Sequence, residues 1–211
     1  MKMKNFMAGV VMALLPLFAL ADSTAPDVLV KNTANDVLAI VKSDKDIQAG
    51  DMSKITALTE EKILPQFDFN RMSRMVLGKY WNGATPEQKQ QFIDQFRTLL
   101  IRTYASALSK YRDQTIEYKP LRANPEDTDV TVKTKILQPS GPAIPIDYSL
   151  IKNPEGWKVY DVVIEGVSLV TNYRGQFSSY ARQGGLDEVN RQLVAKNKQG
   201  SKVADTDNKK G

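Results

Sequence analysis

The 211-residue chain contains no cysteine and no histidine. Without histidine it lacks the commonest general base near neutral pH, and without cysteine the thiol nucleophile; the usual zinc and haem ligands go with them. Ser-His-Asp catalysis is excluded outright. The nearest approach to a nucleophile elbow, Gly166-Val167-Ser168-Leu169-Val170, has Val170 where the second glycine belongs and reads better as a serine capping the next helix. Neither a Walker phosphate loop nor a Gly-x-Gly-x-x-Gly fingerprint occurs. What remains for acid and base work is a carboxylate pair, with Asp161 and Glu165 as candidates in or beside the last strand. Each has a plainer reading, on the outer face or paired with Arg71 or Arg74. Lack of cysteine also rules out a diacylated lipoprotein anchor and any disulfide framework.

At the start of the chain Lys2 and Lys4 precede an apolar stretch from Phe6 to Leu20, and Ala19-Leu20-Ala21 offers the small residues a signal peptidase requires. This pattern predicts a cleaved secretory signal over residues 1–21. The stretch is shorter than the ~20 residues that span a bilayer and is interrupted by Pro16. The mature chain is therefore expected to begin at Asp22, to form one domain over 22–195, and to end in a flexible lysine-rich tail over 196–211. A chain of that length buries a core without disulfides, and a cysteine-free exported protein fits the bacterial periplasm.

The formal charge of +5 is confined to the ends. Between Asp22 and Ala195 there are 22 basic and 22 acidic residues, so the expected folded body is neutral. A nucleic-acid partner, which selects for a basic face on the domain, is not expected.

Apolar residues at Val30, Ala34, Val37, Leu38 and Val41 recur at helical spacing and predict a helix over Pro26 to Lys42. A second helix is predicted from Met52 to about Leu64, stopped by Pro65, and a third from an Asp68 cap to about Tyr80. Thr85-Pro86-Glu87-Gln88 is a capping box that opens a long helix to about Lys110. Phe92, Phe96, Leu99, Thr103 and Ala107 form its stripe, so broad an apolar face that it requires a large partner. The period then changes to two. Thr115 to Leu121, Asp129 to Leu137, Ala143 to Ile151 and Trp157 to about Ile164 read as four strands of an antiparallel meander with one face covered by helices. Helices follow over Ser168 to Arg182 and Leu186 to Lys196, parted by Gly184-Gly185. The fold class is thus α+β, a helical layer on a mainly antiparallel four-stranded sheet. Periodicity alone fits a solid core and a lined cavity equally.

Two blocks carry a resemblance. Phe67-Asp68-Phe69-Asn70-Arg71-Met72-Ser73-Arg74-Met75-Val76-Leu77-Gly78-Lys79-Tyr80-Trp81, followed by Ala84-Thr85-Pro86-Glu87-Gln88, is similar to the MlaC, or toluene-tolerance, family. So is Trp157-Lys158-Val159-Tyr160-Asp161-Val162-Val163-Ile164-Glu165-Gly166-Val167-Ser168-Leu169-Val170 with Asn172-Tyr173-Arg174, in matching order from about residue 30 to 195.

The resemblance implies a curved sheet like the NTF2-like cone, with phospholipid acyl chains held inside and the head group near the mouth. It implies a periplasmic shuttle between an outer-membrane lipoprotein-porin complex and an inner-membrane ABC transporter with its substrate-binding subunit, keeping the outer leaflet free of phospholipid. A monomer is expected because a shuttle has to diffuse between partners. No enzyme and no cofactor are expected; the bound phospholipid is cargo. The expected lipid-contacting residues are Val76, Tyr80, Phe92, Phe96, Leu99 and Tyr104 from helices, with Ile146, Tyr148, Val163, Val167 and Leu169 from or beside the sheet. Arg71 and Arg74 are head-group candidates, with an internal salt bridge as the equal alternative. The rival function is a non-lipid periplasmic adaptor or scaffold whose layers close into a solid core.

Overall fold

The structure, a computed structural model, describes residues 24–207. The expected signal segment, 1–21, and the last four residues of the expected tail lie outside the described residues.

Helix α1, Pro26–Ser43, has proline in its first turn and Asp27 near its positive end, and it buries the Val30, Val37 and Val41 stripe. Two short helices follow, α2 Lys45–Ala49 and α3 Met52–Leu58, capped by Asp44 and Asp51. A π turn over Thr59–Ile63 and a 3-10 turn over Leu64–Gln66 then bring the chain to the sheet. Helix α4, Phe69–Leu77, starts where the Asp68 carboxylate accepts from the Arg71 amide at 2.8 Å. It stops at Gly78, whose φ of 54° a side chain would resist, so the expected continuous helix to Tyr80 is instead α4 plus the short α5, Lys79–Asn82.

Helix α6, Pro86–Tyr104, opens with the complete capping box: Gln88 N donates to Thr85 Oγ1 and Thr85 N to Gln88 Oε1. It yields at Ala105 to the short α7, Ser106–Ser109.

Strands β1 Thr115–Tyr118, β2 Asp129–Leu137, β3 Ile144–Asn153, β4 Gly156–Ile164 and β5 Val167–Ser168 form one open antiparallel sheet in sequence order. The sheet has five strands, one more than expected, because β5 is a two-residue return. Glu165 (φ 50°) and Gly166 (φ 83°) make the tight turn into it, the positive φ pair of a type I′ hairpin. Ser149 opposes Asp161 while Leu150 opposes Val159, leaving Tyr160 as the extra residue of a bulge that bends β4.

Helix α8, Leu169–Asp207, is two helical segments joined at Gly184-Gly185. A Cβ on Gly184 would meet Glu188 Cβ at 2.9 Å, and Gly185 has φ 64°, so both positions require glycine. The backbone stays helical through 196–207, where a flexible tail was expected. Asn197 is buried and donates to the Gln95 carbonyl and side-chain oxygens at 3.0 and 2.9 Å, which ties this stretch to α6.

The two sequence blocks meet in space. Phe67 bridges to Val159, Asp68 N donates to the Val159 carbonyl at 2.8 Å, and Lys158 Nζ to the Pro65 carbonyl at 2.7 Å. Arg174 Nε caps the end of α4 through the Met75 carbonyl at 2.7 Å. The core has two parts. The larger joins α4, α6 and α8 to the sheet; the smaller gathers α1, α2 and α3 on Ile101 and Ala105.

Candidate lipid cavity

The two core clusters do not meet beneath α1, and a cavity of about 270 Å³ lies between that helix and the sheet. Its roof is Leu29, Val30, Ala34, Val37 and Leu38 of α1. Its floor is Ile116, Ile136, Tyr148 and Val159 of the strands. Ile63 and Phe67 close one side, and Ala107, Leu108 and Tyr111 close an end. Ala34, in the middle of the α1 stripe, is the smallest side chain of that roof. Thr33, Gln66 and the two tyrosines carry the only polar side-chain groups of the wall, and no charged residue lines it. Burial pushes the Tyr148 phenol up to about 12, so it stays neutral at physiological pH.

Tyr148 alone of the eleven expected lipid-contacting residues lines this cavity. Phe92 and Phe96, one turn apart on α6, are fully buried against Tyr173 and Phe177, one turn apart on α8. The Phe92–Phe177 and Phe96–Tyr173 rings meet edge to face at 5.6 and 5.2 Å. This arrangement stabilises the core by about 0.5–1.5 kcal/mol per ring pair beyond area burial. Phe92 and Phe96 of the α6 stripe thus find their partners in another helix.

Val76 and Leu169 are buried in the same cluster, and Tyr80, Leu99, Tyr104 and Ile146 pack at its margin. Burial, with Tyr173 beside it, pushes the Tyr104 phenol up to about 12. The bulge at Tyr160 puts Val162, not Val163, on the inner face: Val163 pairs with Asp147, the partner of Lys133, on the opposite face. Val167 is 56 % exposed on β5. The wall of this cavity is built from α1 and the strands rather than from α6. An alanine inside a valine and leucine stripe was the available signal.

The head-group candidates sit elsewhere. Arg71 lies 4.7 Å above the Tyr160 ring and 3.9 Å from Asp129, which also accepts from Tyr160 OH at 2.9 Å. This is the internal pairing alternative. Arg74 is exposed on α4. The carboxylates Asp161 and Glu165 do not form a pair. Asp161 is buried and accepts from Val162 N and Val170 N at 2.9 and 3.0 Å and from Ser168 Oγ at 2.5 Å, so it caps α8. Glu165 is exposed in the β4–β5 turn.

A helical layer over an open, bent antiparallel sheet, with an uncharged apolar cavity between them, defines an α+β domain built to shelter an apolar ligand. The chain belongs to the MlaC family, whose model, described as MlaC protein, matches residues 31–195. It is 28 % identical over 179 residues to the toluene tolerance protein ttg2D of Pseudomonas putida, covering 84 % of this chain and 82 % of that one. It is 25 % identical over 169 residues to the intermembrane phospholipid transport system binding protein MlaC of Haemophilus influenzae, covering 79 % of each. A solved structure of the phospholipid-binding protein from Ralstonia solanacearum, in complex with a phospholipid, is similar with a TM-score of 0.81 and 41 % identity. That likeness covers 84 % of this chain and 99 % of the other.

Proposed function

We propose that this protein is a periplasmic phospholipid carrier that shuttles lipid between an outer-membrane lipoprotein-porin complex and an inner-membrane ABC transporter with its substrate-binding subunit. The observation that carries the reading is the uncharged cavity under α1, in a chain 41 % identical to a protein solved with phospholipid bound. Each acyl methylene withdrawn from water contributes ~0.8 kcal/mol, so about a dozen supply on the order of 10 kcal/mol. After association costs of roughly 4–15 kcal/mol, a dozen methylenes alone bind no tighter than about tens of micromolar. The roughly thirty methylenes of two acyl chains, ~24 kcal/mol, bring the affinity to micromolar or better. No polar anchor is needed for tight holding, and an apolar wall accepts many chain types. The cavity is at the lower edge of the ~300–1,000 Å³ usual for ligand sites, so lifting α1 from the sheet is what admits a second chain.

Among the described residues no helix is long and apolar enough to cross a membrane. Release at Asp22 leaves a monomer that diffuses between its two docking partners. The test is organic extraction of the mature chain purified without detergent. Glycerophospholipid recovered at near one per chain is expected; a lipid-free protein that stays bare after incubation with phospholipid vesicles would overturn the carrier reading in favour of the adaptor.

A further inference from the structure

A second pocket, of about 510 Å³, lies between the start of α4, the middle of α6 and the β3–β4 turn. Its apolar walls are Leu64, Pro65, Phe67, Phe69, Ile93 and Pro154, and Phe67 also lines the lipid cavity. Arg97 of α6, half-buried, lines the pocket with its guanidinium 5.2 Å from the Phe69 ring centroid. Its Nε is sealed from solvent without a partner, while the two terminal nitrogens are not sealed. The side chain makes no hydrogen bond or ion pair among the described residues. The other charged residues of the lining are Asp68, Glu155 and Lys158. Lys158 Nζ is committed to the Pro65 carbonyl at 2.7 Å, and the Asp68 carboxylate to the Arg71 amide at 2.8 Å. Glu155 is exposed at the tip of the turn.

Methionine or leucine would cover Phe69 without withdrawing a charge from water, so packing does not account for the arginine. What arginine adds is a planar fork whose plane the ring already fixes, and such a fork pairs two nitrogens with a carboxylate at small ordering cost. We propose that this pocket is a docking site for a partner protein, which inserts a glutamate or aspartate side chain to meet Arg97, its neck against the apolar walls and a basic neighbour facing Glu155. The inference rests on the carrier reading above, which supplies two membrane complexes as partners. A free inorganic anion would gain nothing from the apolar walls. A lipid surface calls for a cluster of cations, whereas this pocket balances two cations against two acids. Because Phe67 is shared, a partner seated here stands against the side wall of the lipid cavity.

The test is binding of the full mature chain to each membrane complex in nanodiscs, read by biolayer interferometry, with lipid occupancy followed by native mass spectrometry. Arg97→Met keeps the cover over Phe69, and Asn70→Trp narrows the pocket from an exposed position on its lining. Each is expected to bind at least one complex about ten- to a hundredfold more weakly, the range a charge-assisted hydrogen bond supplies, with lipid occupancy unchanged. In Arg97→Lys, a carbodiimide is expected to join residue 97 to an aspartate or glutamate of that complex. Wild-type affinity of either folded variant for both complexes would overturn the docking site, as would Arg97-dependent binding to protein-free phosphatidylglycerol nanodiscs. Either result leaves the carrier reading standing while wild type retains lipid; a wild type that binds neither lipid nor complex would overturn both.

Discussion

Replacing Asp161 by alanine removes one carboxylate that satisfies three donors where β4, β5 and α8 converge. Ser168 Oγ has a second role, accepting from Thr171 N at 3.0 Å, and its hydroxyl can rotate to a new partner. The amides of Val162 and Val170 cannot. Each buried amide left unsatisfied costs about 1–3 kcal/mol, so Asp161→Ala is expected to lose about 4 kcal/mol. That is a large share of the ~5–15 kcal/mol that holds a typical domain together. At ~2–4 °C per kcal/mol for a domain of this size, the thermal midpoint falls by about 8–16 °C. Asp161→Asn keeps one acceptor oxygen and is expected to lose about half as much. Urea unfolding followed by circular dichroism, with and without bound lipid, measures both. A loss below 1 kcal/mol for Asp161→Ala would refute the capping argument and reopen a chemical role for the carboxylate.

Two further outcomes follow from single groups. Tyr148 and Tyr104 titrate at about 12 in the folded chain against 10.0 normally. Between those values the unfolded chain has released protons that the folded chain retains, so stability falls as pH rises above 10 and is unaffected below it. In an alkaline titration the last of the eight tyrosinates should appear together with loss of helix signal; reversible ionisation of all of them near pH 10 with the helices intact would contradict this. Glu165→Asn should stabilise by about 0.5–1 kcal/mol in urea unfolding, since asparagine tolerates the left-handed φ of 50° better than glutamate does.

Local chemistry made much of the fold legible. The Thr85 capping box, the Asp68 cap and the Gly184-Gly185 break each act within a few residues, and all three occur as read. The β2 boundaries, Asp129 and Leu137, follow from strict alternation. What was not legible depends on distance or on a one-residue insertion. Tyr173 and Phe177 lie about 80 residues from Phe92 and Phe96, and no pattern in α6 names them as its partners. The bulge at Tyr160 changes which β4 residues face inward, so Val163 was expected inside where Val162 is. Strand β5, two residues long, is too short to carry a period. The cavity was the hardest feature, because it is a gap between two clusters rather than a property of one element. Its wall residues have the same apolar spacing as a solid core.

The central claim, that lipid is held beneath α1, is tested most directly by native mass spectrometry of the mature chain in three forms: wild type, Ala34→Trp and Val167→Trp. Tryptophan at 34 fills the cavity from its roof, whereas residue 167 is exposed on β5 away from the wall. Wild type and Val167→Trp are predicted to carry a phospholipid-mass adduct at near-integer stoichiometry, and Ala34→Trp, folded by circular dichroism, to fly as bare polypeptide. Full lipid occupancy in folded Ala34→Trp would contradict the account.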